Sequence, residues 1–446
     1  MTKPNSFLKN SYITLVRQFT SIVIGTLLII IIARMLGPEL QGNYALITNF
    51  PAILMMFINL GINISTVYYV SRQEIDPGES FFNNLIIGVV LSLIGIIAGF
   101  ISIYFFGDKL FKDIDDHSYV YFILIAIPFM LLNTFFQTIF QGIQDFKVFN
   151  TILVITQITN LLLVVILIVL FDFGLMGALI AFISGHALTL LFILVFSVKR
   201  FNLTRKNLRL NIPYLRKSFH YGFKSYMSNL VTFMNYRINI YLLGFFVGNG
   251  AVGLYFTALT LGEKLSVFTQ SISSVLLPRI AAMGTEEERN HLTSIVSRFT
   301  LVFMLVLSVV IFFTIDFLAP VLGHEYKETP FFLKILLPGI ALLAVEKILS
   351  NDIAARGKPE INMNVSIFNV IFSTILNVIL IPMYGATGAA IATSISYSLS
   401  FIIKAFFFKR VTGEAFNKFL LFKREDFSLV KKMLLRQKLF KRLIRS

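Results

Sequence analysis

Two stretches of the sequence resemble each other, GPELQGNY at residues 37–44 and GNGAVGLY at residues 248–255. A second pair has the same spacing, GLMGALIA at residues 174–181 and GATGAAIA at residues 385–392. Identical residues stand 211 positions apart in Gly37 and Gly248, Gly42 and Gly253, Tyr44 and Tyr255, Gly174 and Gly385, Gly177 and Gly388, Ala178 and Ala389, Ala181 and Ala392, and Lys147 and Lys358. Either motif alone could be the tight start of a helix, where small residues allow close packing. The common spacing predicts two tandem copies of one structural unit.

The composition is that of a membrane protein. Of 446 residues, 56% are hydrophobic and 14% are charged, and the mean hydropathy is +0.80. Soluble domains carry about 25% charged residues, so an ordinary soluble enzyme and a disordered chain are both excluded. The absence of cysteine excludes a disulfide framework, a thiolate metal site and a cysteine nucleophile. The first apolar run continues past Ile32 without a small-residue cleavage site, so we expect a retained helix and no signal peptide.

Apolar runs of about 20 residues, long enough to cross a bilayer, predict twelve transmembrane spans. They lie near residues 12–36, 43–71, 81–106, 118–140, 151–171, 176–198, 218–246, 251–277, 293–319, 330–350, 361–382 and 386–408. The shift of 211 residues covers six spans, an even number, so both copies have the same orientation and are related by an axis along the membrane normal. We therefore predict an all-α integral membrane protein with two six-helix lobes, related by pseudo-twofold symmetry, around a central cleft.

The basic residues predict the orientation. The net charge is +16, and 30 of the 39 Lys and Arg residues fall on one side if the N-terminus is cytoplasmic, whereas four fall on the other side. Cytoplasmic segments carry the excess of Lys and Arg. We expect a multi-pass protein of the cytoplasmic membrane with both termini in the cytoplasm, and no nucleic-acid partner.

Four parts follow from this topology. They are an N-terminal lobe at residues 1–198, a basic cytoplasmic linker at 199–217, a C-terminal lobe at 218–409 and a basic cytoplasmic tail at 410–446. The tail alternates apolar and basic residues, so we expect it to lie on the anionic inner leaflet. A solvated charged tail is the alternative.

Catalytic patterns are weak. The five histidines are scattered along the chain, and the longest external loop, residues 107–118, holds four aspartates typical of a solvated acidic rim. No GxxxxGK[ST] phosphate loop is present, which argues against ATP-driven transport within this chain. We expect no enzymatic activity, no catalytic residues and no cofactor.

Cations inside the predicted spans are more informative, because a charge at mid-bilayer costs about 3 kcal/mol and usually has a function. We predict a cationic substrate-binding cavity formed by Arg17, Lys224, Arg237 and Lys264. Snorkelling to the interface is the alternative for Arg17 and Lys224, and neutralisation by a neighbouring acid is the alternative for Lys264. The spans hold six cations, which include Lys334 and Lys347 near the interfaces, against the three acids Glu263, Asp316 and Glu346. Such a surplus favours an anionic substrate.

Uncharged polar residues recur at helical spacing along the second, fourth and seventh spans. They are Asn59, Asn63, Asn133, Gln137, Asn235 and Asn239. We predict that they line the cavity, where they could bond sugar hydroxyls. Hydrogen bonds between helices, worth about 0.6 kcal/mol per contact, explain such stripes equally well.

Several motifs resemble the bacterial polysaccharide transport family, the oligosaccharide-lipid flippases of the multidrug/oligosaccharidyl-lipid/polysaccharide exporter superfamily. The matching runs are Ile32 to Tyr44, VGLYFTA at residues 252–258, Leu277-Pro278-Arg279, Arg356-Gly357-Lys358-Pro359, and GATGAAIATSISY at residues 385–397. The resemblance implies translocation of undecaprenyl-diphosphate-linked oligosaccharide repeat units by alternating access, for O-antigen, capsule, exopolysaccharide or teichuronic-type polymers. The implied partners are the lipid-linked oligosaccharide, membrane lipids and other polysaccharide assembly proteins.

The resemblance also implies roles for particular residues. Related lipid II flippases use arginines of the first and eighth helices for the diphosphate; Arg17 matches by helix and depth, and Lys264 stands where the eighth helix would carry arginine. Relatives bind sodium between the seventh, eleventh and twelfth helices. Asn235, Asn377 and Thr393 could serve here, but the carboxylates of that site are missing.

Two other functions compete with this interpretation. A drug/cation antiporter of the same superfamily needs intramembrane acids, yet the first span has none and cations outnumber acids. An integral-membrane polysaccharide polymerase or ligase needs acids or arginines on a sizeable external loop.

Overall fold

The computed structural model describes residues 4–114, 116–201, 209–283, 285–423 and 426. For residues 4–16 and for parts of residues 224–282 the description covers the backbone and not every side chain.

The described residues form an all-helical chain without strands. The α-helices are α1 Pro4–Ile58, α2 Ile62–Ser71, α3 Pro77–Leu110, α4 Ser118–Phe122, α5 Ala126–Gly142, α6 Phe146–Val164, α7 Gly174–Phe201, α8 Ile212–Phe246, α9 Asn249–Ala282, α10 Glu286–Thr314, α11 Ala319–Leu322, α12 Thr329–Ala355, α13 Pro359–Thr412 and α14 Phe416–Leu420. A π-helical turn, Val165–Leu170, extends α6.

Seven helices of the described chain are long and apolar enough to cross a membrane. They are Arg17–Ile58, Pro77–Leu110, Ser118–Gly142, Phe146–Leu170, Gly174–Phe201, Glu286–Leu322 and Pro359–Thr412. Three further long helices lie among them: α9 packs against α1 and α12, α8 packs against α13, and α12 packs against α13. These three carry seven of the nine charged residues that the sequence places in the spans, and the exceptions are Arg17 in α1 and Asp316 between α10 and α11.

Helices α1 and α13 are kinked within their lengths of 55 and 54 residues. The φ angle is +72° at Gly37 in α1 and +59° at Gly385 in α13. Glycine adopts this left-handed conformation without the steric cost that other residues incur. The repeat partners behave alike, because φ is +122° at Gly248 and +52° at Gly174. Each pair of motifs therefore marks a glycine with positive φ at the same place in the two copies.

The repeat also produces a reciprocal contact between α1 and α9. A Cβ atom on Gly42 would overlap the carbonyl oxygen of Asn249, and a Cβ atom on Gly253 would overlap that of Pro38. A shift of 211 residues converts one contact into the other. The two backbones touch only because both positions are glycine. We call the end of the bundle that carries Gly37, Gly42, Gly248 and Gly253 the glycine end, and the opposite end, which carries Arg72, Arg200, Arg209 and Arg356, the basic end.

The second predicted span, 43–71, is not continuous. Helix α1 stops at Ile58 and α2 starts at Ile62, with φ of +53° at Leu60 and +78° at Gly61. The backbone of Gly61 lies directly against that of Gly222 in α8, so neither residue has room for a side chain. Hydropathy averaged over a span does not reveal this break, because only two polar residues, Asn59 and Asn63, stand among the apolar residues around it.

The linker predicted at 199–217 is shorter in the structure. Helix α7 continues to Phe201 and α8 begins at Ile212, while residues 202–208 lie outside the described part of the chain. The side chain of Asn211 caps α8 by accepting from Tyr214 N at 2.9 Å. Pro213 stands in the first turn of α8, a position that proline tolerates because the missing N–H needs no partner there.

The first part of the tail packs against the bundle. After Gly413, α14 packs against α10, and Phe419 is fully buried against Phe408. Arg298 of α10 and Asp426 form a buried ion pair of 2.7 Å. Buried apolar and ionic contacts hold this part to α10, and the expected position of the tail on the membrane surface stays a prediction. Residues 424, 425 and 427–446 lie outside the described chain.

Candidate functional site

A cavity of about 300 Å³ lies between α8, α9, α12 and α13. Its lining consists of Phe233, Arg237, Thr260, Glu263, Lys264, Ser266, Ile340, Leu343, Lys347 and Tyr397. Three cations and one carboxylate are therefore in this lining, a formal excess of two positive charges. Apolar side chains on the same walls lower the local dielectric and strengthen any interaction with an anion.

Arg237 has one weak ionic contact in this cavity. Its Nη2 lies 3.6 Å from Oε2 of Glu263, beyond hydrogen-bond distance. The Nε and Nη1 atoms of Arg237 are buried and have no hydrogen-bond partner among the described residues. The ring of Phe233 lies 6.0 Å from the guanidinium carbon. Arg237 thus retains donors for an incoming anion.

Lys264 faces helix α1. A Cβ atom on Gly25 would lie 2.5 Å from the Lys264 Nζ, so the absence of a side chain at Gly25 leaves room for the amine. No carboxylate of the described chain lies within 4.0 Å of this amine, because Glu263 faces Arg237 and Glu346 pairs with Lys404 at 3.3 Å. The neutralisation that the sequence allowed for Lys264 does not occur through a direct ion pair.

Lys347 is the cation that the sequence analysis missed. We expected it near an interface, but it lines the cavity together with Ile340 and Leu343 of the same helix. Its spacing from these residues, seven and four positions, places all three on one face of α12. The same helix carries Glu346 on a neighbouring face, where Lys404 and the hydroxyl of Ser350 engage it.

The other two predicted cations are not among the residues of this cavity. Arg17 is partly buried and its Nε has no hydrogen-bond partner among the residues that the structure describes, but it precedes Gly25 by eight residues, about 12 Å along α1. The side chain of Lys224 lies outside the described residues. Arg17 and Lys224 therefore stay predictions.

The predicted polar lining divides into bonded and unbonded groups. Asn239 donates to the hydroxyl of Tyr255 at 2.6 Å and to that of Thr393 at 3.0 Å, which ties α8 to α9 and α13. Asn133 donates to the carbonyl of His186 at 2.9 Å and ties α5 to α7. These two amides serve as contacts between helices, the alternative that the sequence left open.

The remaining amides of that set have other surroundings. Beside the break between α1 and α2, the Oδ1 atoms of Asn59 and Asn63 are buried and have no hydrogen-bond partner in the described part of the chain. Gln137 is half-buried in α5, and the side chain of Asn235 lies outside the described chain. A role in lining a cavity stays a prediction for these residues.

The sodium site also stays a prediction. Asn377 donates to the carbonyl of Ser373 at 2.8 Å, and its Oδ1 is buried with no partner among the side chains that the structure describes. The hydroxyl of Thr393 is engaged by Asn239 and by the Tyr255 hydroxyl at 2.8 Å. Among the described residues no cluster of three His, Asp or Glu could hold a metal. These donors fit a cation poorly, because one oxygen is occupied and carboxylates are missing.

Comparison with known proteins identifies the family of this chain. A family model described as polysaccharide biosynthesis protein matches residues 7–284, more than half of the chain. The chain is 25% identical over 423 residues to a capsular polysaccharide biosynthesis protein of Staphylococcus aureus, covering 90% of this chain and 99% of that protein. It is 26% identical to a "Probable low-salt glycan biosynthesis flippase" of Haloferax volcanii over 194 residues, which are 43% of this chain and 41% of that relative.

Two solved structures share the fold. An inward-facing multidrug resistance MATE family transporter of the MOP superfamily superposes with a TM-score of 0.72 at 17% identity, covering 90% of this chain and 98% of that chain. The lipid II flippase MurJ in an inward closed conformation gives a TM-score of 0.71 at 17% identity, covering 91% and 88%. With the family match over most of its length, this membrane protein belongs to the polysaccharide biosynthesis protein family.

Proposed function

We propose that the protein is a flippase that moves undecaprenyl-diphosphate-linked oligosaccharide repeat units across the cytoplasmic membrane for surface polysaccharide synthesis. The cavity carries this proposal, because Arg237, Lys264 and Lys347 share one chamber with a single carboxylate. A diphosphate diester has two negative charges, equal to the formal excess of positive charge. The names of the relatives, a capsular polysaccharide biosynthesis protein and the lipid II flippase MurJ, support the same substrate class.

The architecture that we propose has twelve transmembrane helices in two six-helix lobes, with both termini in the cytoplasm. The kinks of α1 and α13 divide each of these helices into two spans, which supports a total of twelve spans over the seven long apolar helices. The reciprocal contacts of Gly42 and Gly253 support the pseudo-twofold axis. The basic end then faces the cytoplasm, as the distribution of Lys and Arg favours.

In this mechanism the cations take over the role of water around the diphosphate. Charged groups leave water at a high cost unless they are paired and hydrogen-bonded, and Arg237 has unused donors in a low-dielectric chamber. The sugars follow through the polar cleft, while the polyprenyl chain stays in lipid. Separation of the two lobes at the glycine end then releases the headgroup outside.

A cation antiporter is the weaker candidate. The likeness to the MATE transporter is one of fold at 17% identity. A cationic drug would have to enter a chamber in which three cations already outnumber one acid. Electrostatic repulsion therefore argues against such a substrate.

Deletion of the gene tests the function. We expect lipid-linked repeat units to accumulate on the inner leaflet, as measured by leaflet-selective labelling of the glycan, and plasmid expression to reverse the accumulation. Accumulation on the outer leaflet would instead indicate a polymerase or ligase. Unchanged glycolipid with increased drug sensitivity would indicate the antiporter.

A further inference from the structure

Gly25 stands inside the first membrane helix, at a position where the backbone does not require glycine. Glycine weakens a helix interior relative to alanine, so its presence there has a cause in conformation or in space. Eight glycines of the described chain have positive φ, and Gly25 is not among them. The cause at Gly25 is therefore space.

The space beside Gly25 is taken by one side chain. Outside α1 itself, the described atoms within 4 Å of a Cβ on Gly25 are Nζ of Lys264 at 2.5 Å and Cε of Lys264 at 3.1 Å. The glycines that bring helices together differ in this respect, because a Cβ on Gly42 or Gly253 would meet backbone atoms of the other helix. Gly25 thus makes room for an amine rather than for a second backbone.

The amine that occupies this notch belongs to the cationic cavity. Lys264 lines the cavity together with Arg237 and Lys347, and all lining residues lie on α8, α9, α12 and α13. Gly25 lies on α1, which belongs to the N-terminal lobe of the proposed architecture. The Lys264 amine therefore reaches from the cavity to a helix of the other lobe.

We propose that Gly25 is a positioning residue for Lys264, which seats the amine where it binds the phosphate of a lipid-linked headgroup. This inference rests on the proposed function, because it requires the cavity to hold a phosphorylated headgroup. Groups of a binding site must be held within about 0.5 Å of their productive positions. A lysine amine on its flexible four-carbon stem needs such a restraint from its surroundings. Helix α1 supplies the restraint through the side chain that it lacks.

A methyl group at Gly25 should displace the amine without disturbing the fold. Ordinary van der Waals contacts begin at 3.4 Å, so Gly25→Ala pushes the Lys264 Nζ away by about 1 Å, more than a binding group tolerates. The amine ends a flexible side chain and can move aside, and alanine has a higher helix propensity than glycine. We expect Gly25→Ala to reach wild-type levels in the membrane and to unfold at a Tm no lower than that of the wild-type protein.

A double-mutant cycle on the purified full-length protein tests the positioning role. The probe is farnesyl-diphosphoryl-N-acetylglucosamine, and calorimetry measures its affinity. We expect Gly25→Ala to weaken binding about tenfold when Lys264 is present, and less than about twofold in the Lys264→Ala background. A general packing defect at Gly25 would instead weaken binding equally in both backgrounds.

Gly250→Ala is the matched control. It makes the same substitution on α9, the helix of Lys264, at a position where a Cβ meets nothing within 4 Å. The affinity for the probe should be unchanged.

The possible failures are distinguishable. If the wild-type protein does not bind the probe, the anion site and the role of Gly25 are both wrong. If the wild-type protein binds, and Gly25→Ala binds equally well or is equally impaired without Lys264, the positioning role alone is overturned. Wild-type affinity in Lys264→Ala would also overturn it, because the amine would then not be a ligand, while Arg237 and Lys347 would still support the proposed function.

Discussion

At the scale of single residues, the three cations of the cavity have few close acceptors or carboxylates in the described chain. Arg237 has two buried nitrogens without a partner, and Lys264 and Lys347 have no carboxylate within 4.0 Å in the described chain. Buried polar groups are normally bonded, and each unsatisfied one costs about 1–3 kcal/mol. Such a site destabilises the empty protein and favours binding of an anion.

Replacement of the cavity cations should impair export. For Arg237→Ala, Lys264→Ala and Lys347→Ala, loss of one charge-assisted contact of about 1.5–3 kcal/mol should weaken headgroup binding roughly ten- to hundredfold. Export is measured as surface glycan, and the amount of protein in the membrane is measured in parallel. Lys334→Ala is the control, because Lys334 pairs with Asp316 away from the cavity. Normal export in all three cavity variants would contradict the cationic site.

At the scale of helices, the segment after Gly413 is held by a buried ion pair, by the buried ring of Phe419 and by a hydrogen bond from Arg298 to the carbonyl of Lys418. Arg298 and Asp426 have 6% and 1% of their side chains exposed, and Phe419 is fully buried. Removing one partner of a buried pair leaves the other charge uncompensated, at a cost of about 3–5 kcal/mol. The docking of α14 therefore depends on Asp426.

Acid should release this segment. Burial opposes ionisation of Asp426, but hydrogen bonds from Lys423 N and Arg298 outweigh it and hold the pKa of Asp426 below its ordinary value of 3.8. A carboxylate whose pKa is lowered in the docked state stabilises that state at every pH above its ordinary pKa. The stabilisation is lost as the pH falls through the lowered pKa. Hydrogen exchange in Phe416–Leu420 should stay slow down to about pH 4 and increase below it.

The variant Asp426→Asn should show fast exchange in Phe416–Leu420 already at neutral pH. Lys418→Ala is a suitable control, since Lys418 forms a surface pair with Glu414 at 2.9 Å that contributes little. If hydrogen exchange in Asp426→Asn equals the wild-type rate, the apolar contacts of Phe419 are sufficient to keep α14 docked without the ion pair.

At the scale of the whole molecule, the glycine end is closed by contacts between the two halves of the chain. Gly42 and Gly253 bring the backbones of α1 and α9 together, and Gln41 Oε1 accepts from the hydroxyls of Thr257 at 2.9 Å and Tyr326 at 2.5 Å. In the proposed mechanism these contacts open to release the headgroup on that side.

A methyl group in this contact should hold the glycine end open. Gly42→Ala and Gly253→Ala each place a Cβ on a backbone carbonyl of the other helix, which cannot move aside as a side chain could. Labelling of a cysteine introduced at Asn43 should become faster, and the chain has no other cysteine. Gly250→Ala is the matched control, because a Cβ there meets nothing within 4 Å. Unchanged labelling in both variants would contradict a tight closure.

Holding the same contact shut should stop transport. Asn249 donates to Asn43 at 2.5 Å, so cysteines at both positions are within reach of a short thiol cross-linker. Cross-linking of the Asn43→Cys, Asn249→Cys protein should abolish export, reduction should restore it, and each single variant should be insensitive. Export that persists after complete cross-linking would exclude opening at this end as a step of transport.

The sequence alone determined the class of the molecule and its internal repeat. Hydropathy is a local property, so the apolar runs were visible without a structure. The shift of 211 residues located four glycines that all have positive φ. A positive φ favours glycine at that position, so such a break is visible in the local sequence. Of the four predicted cavity cations, Arg237 and Lys264 line one cavity.

The tertiary structure decided which groups meet. Pairing of Glu263 with Arg237, and of Glu346 with Lys404, could not be deduced from helical spacing, because the partners lie on different helices. The same holds for Lys347 in the cavity and for the break at Gly61, which depends on contact with Gly222. Local patterns set where most helices begin and end, whereas packing between distant segments sets the break at Gly61 and decides which charges remain available for a ligand.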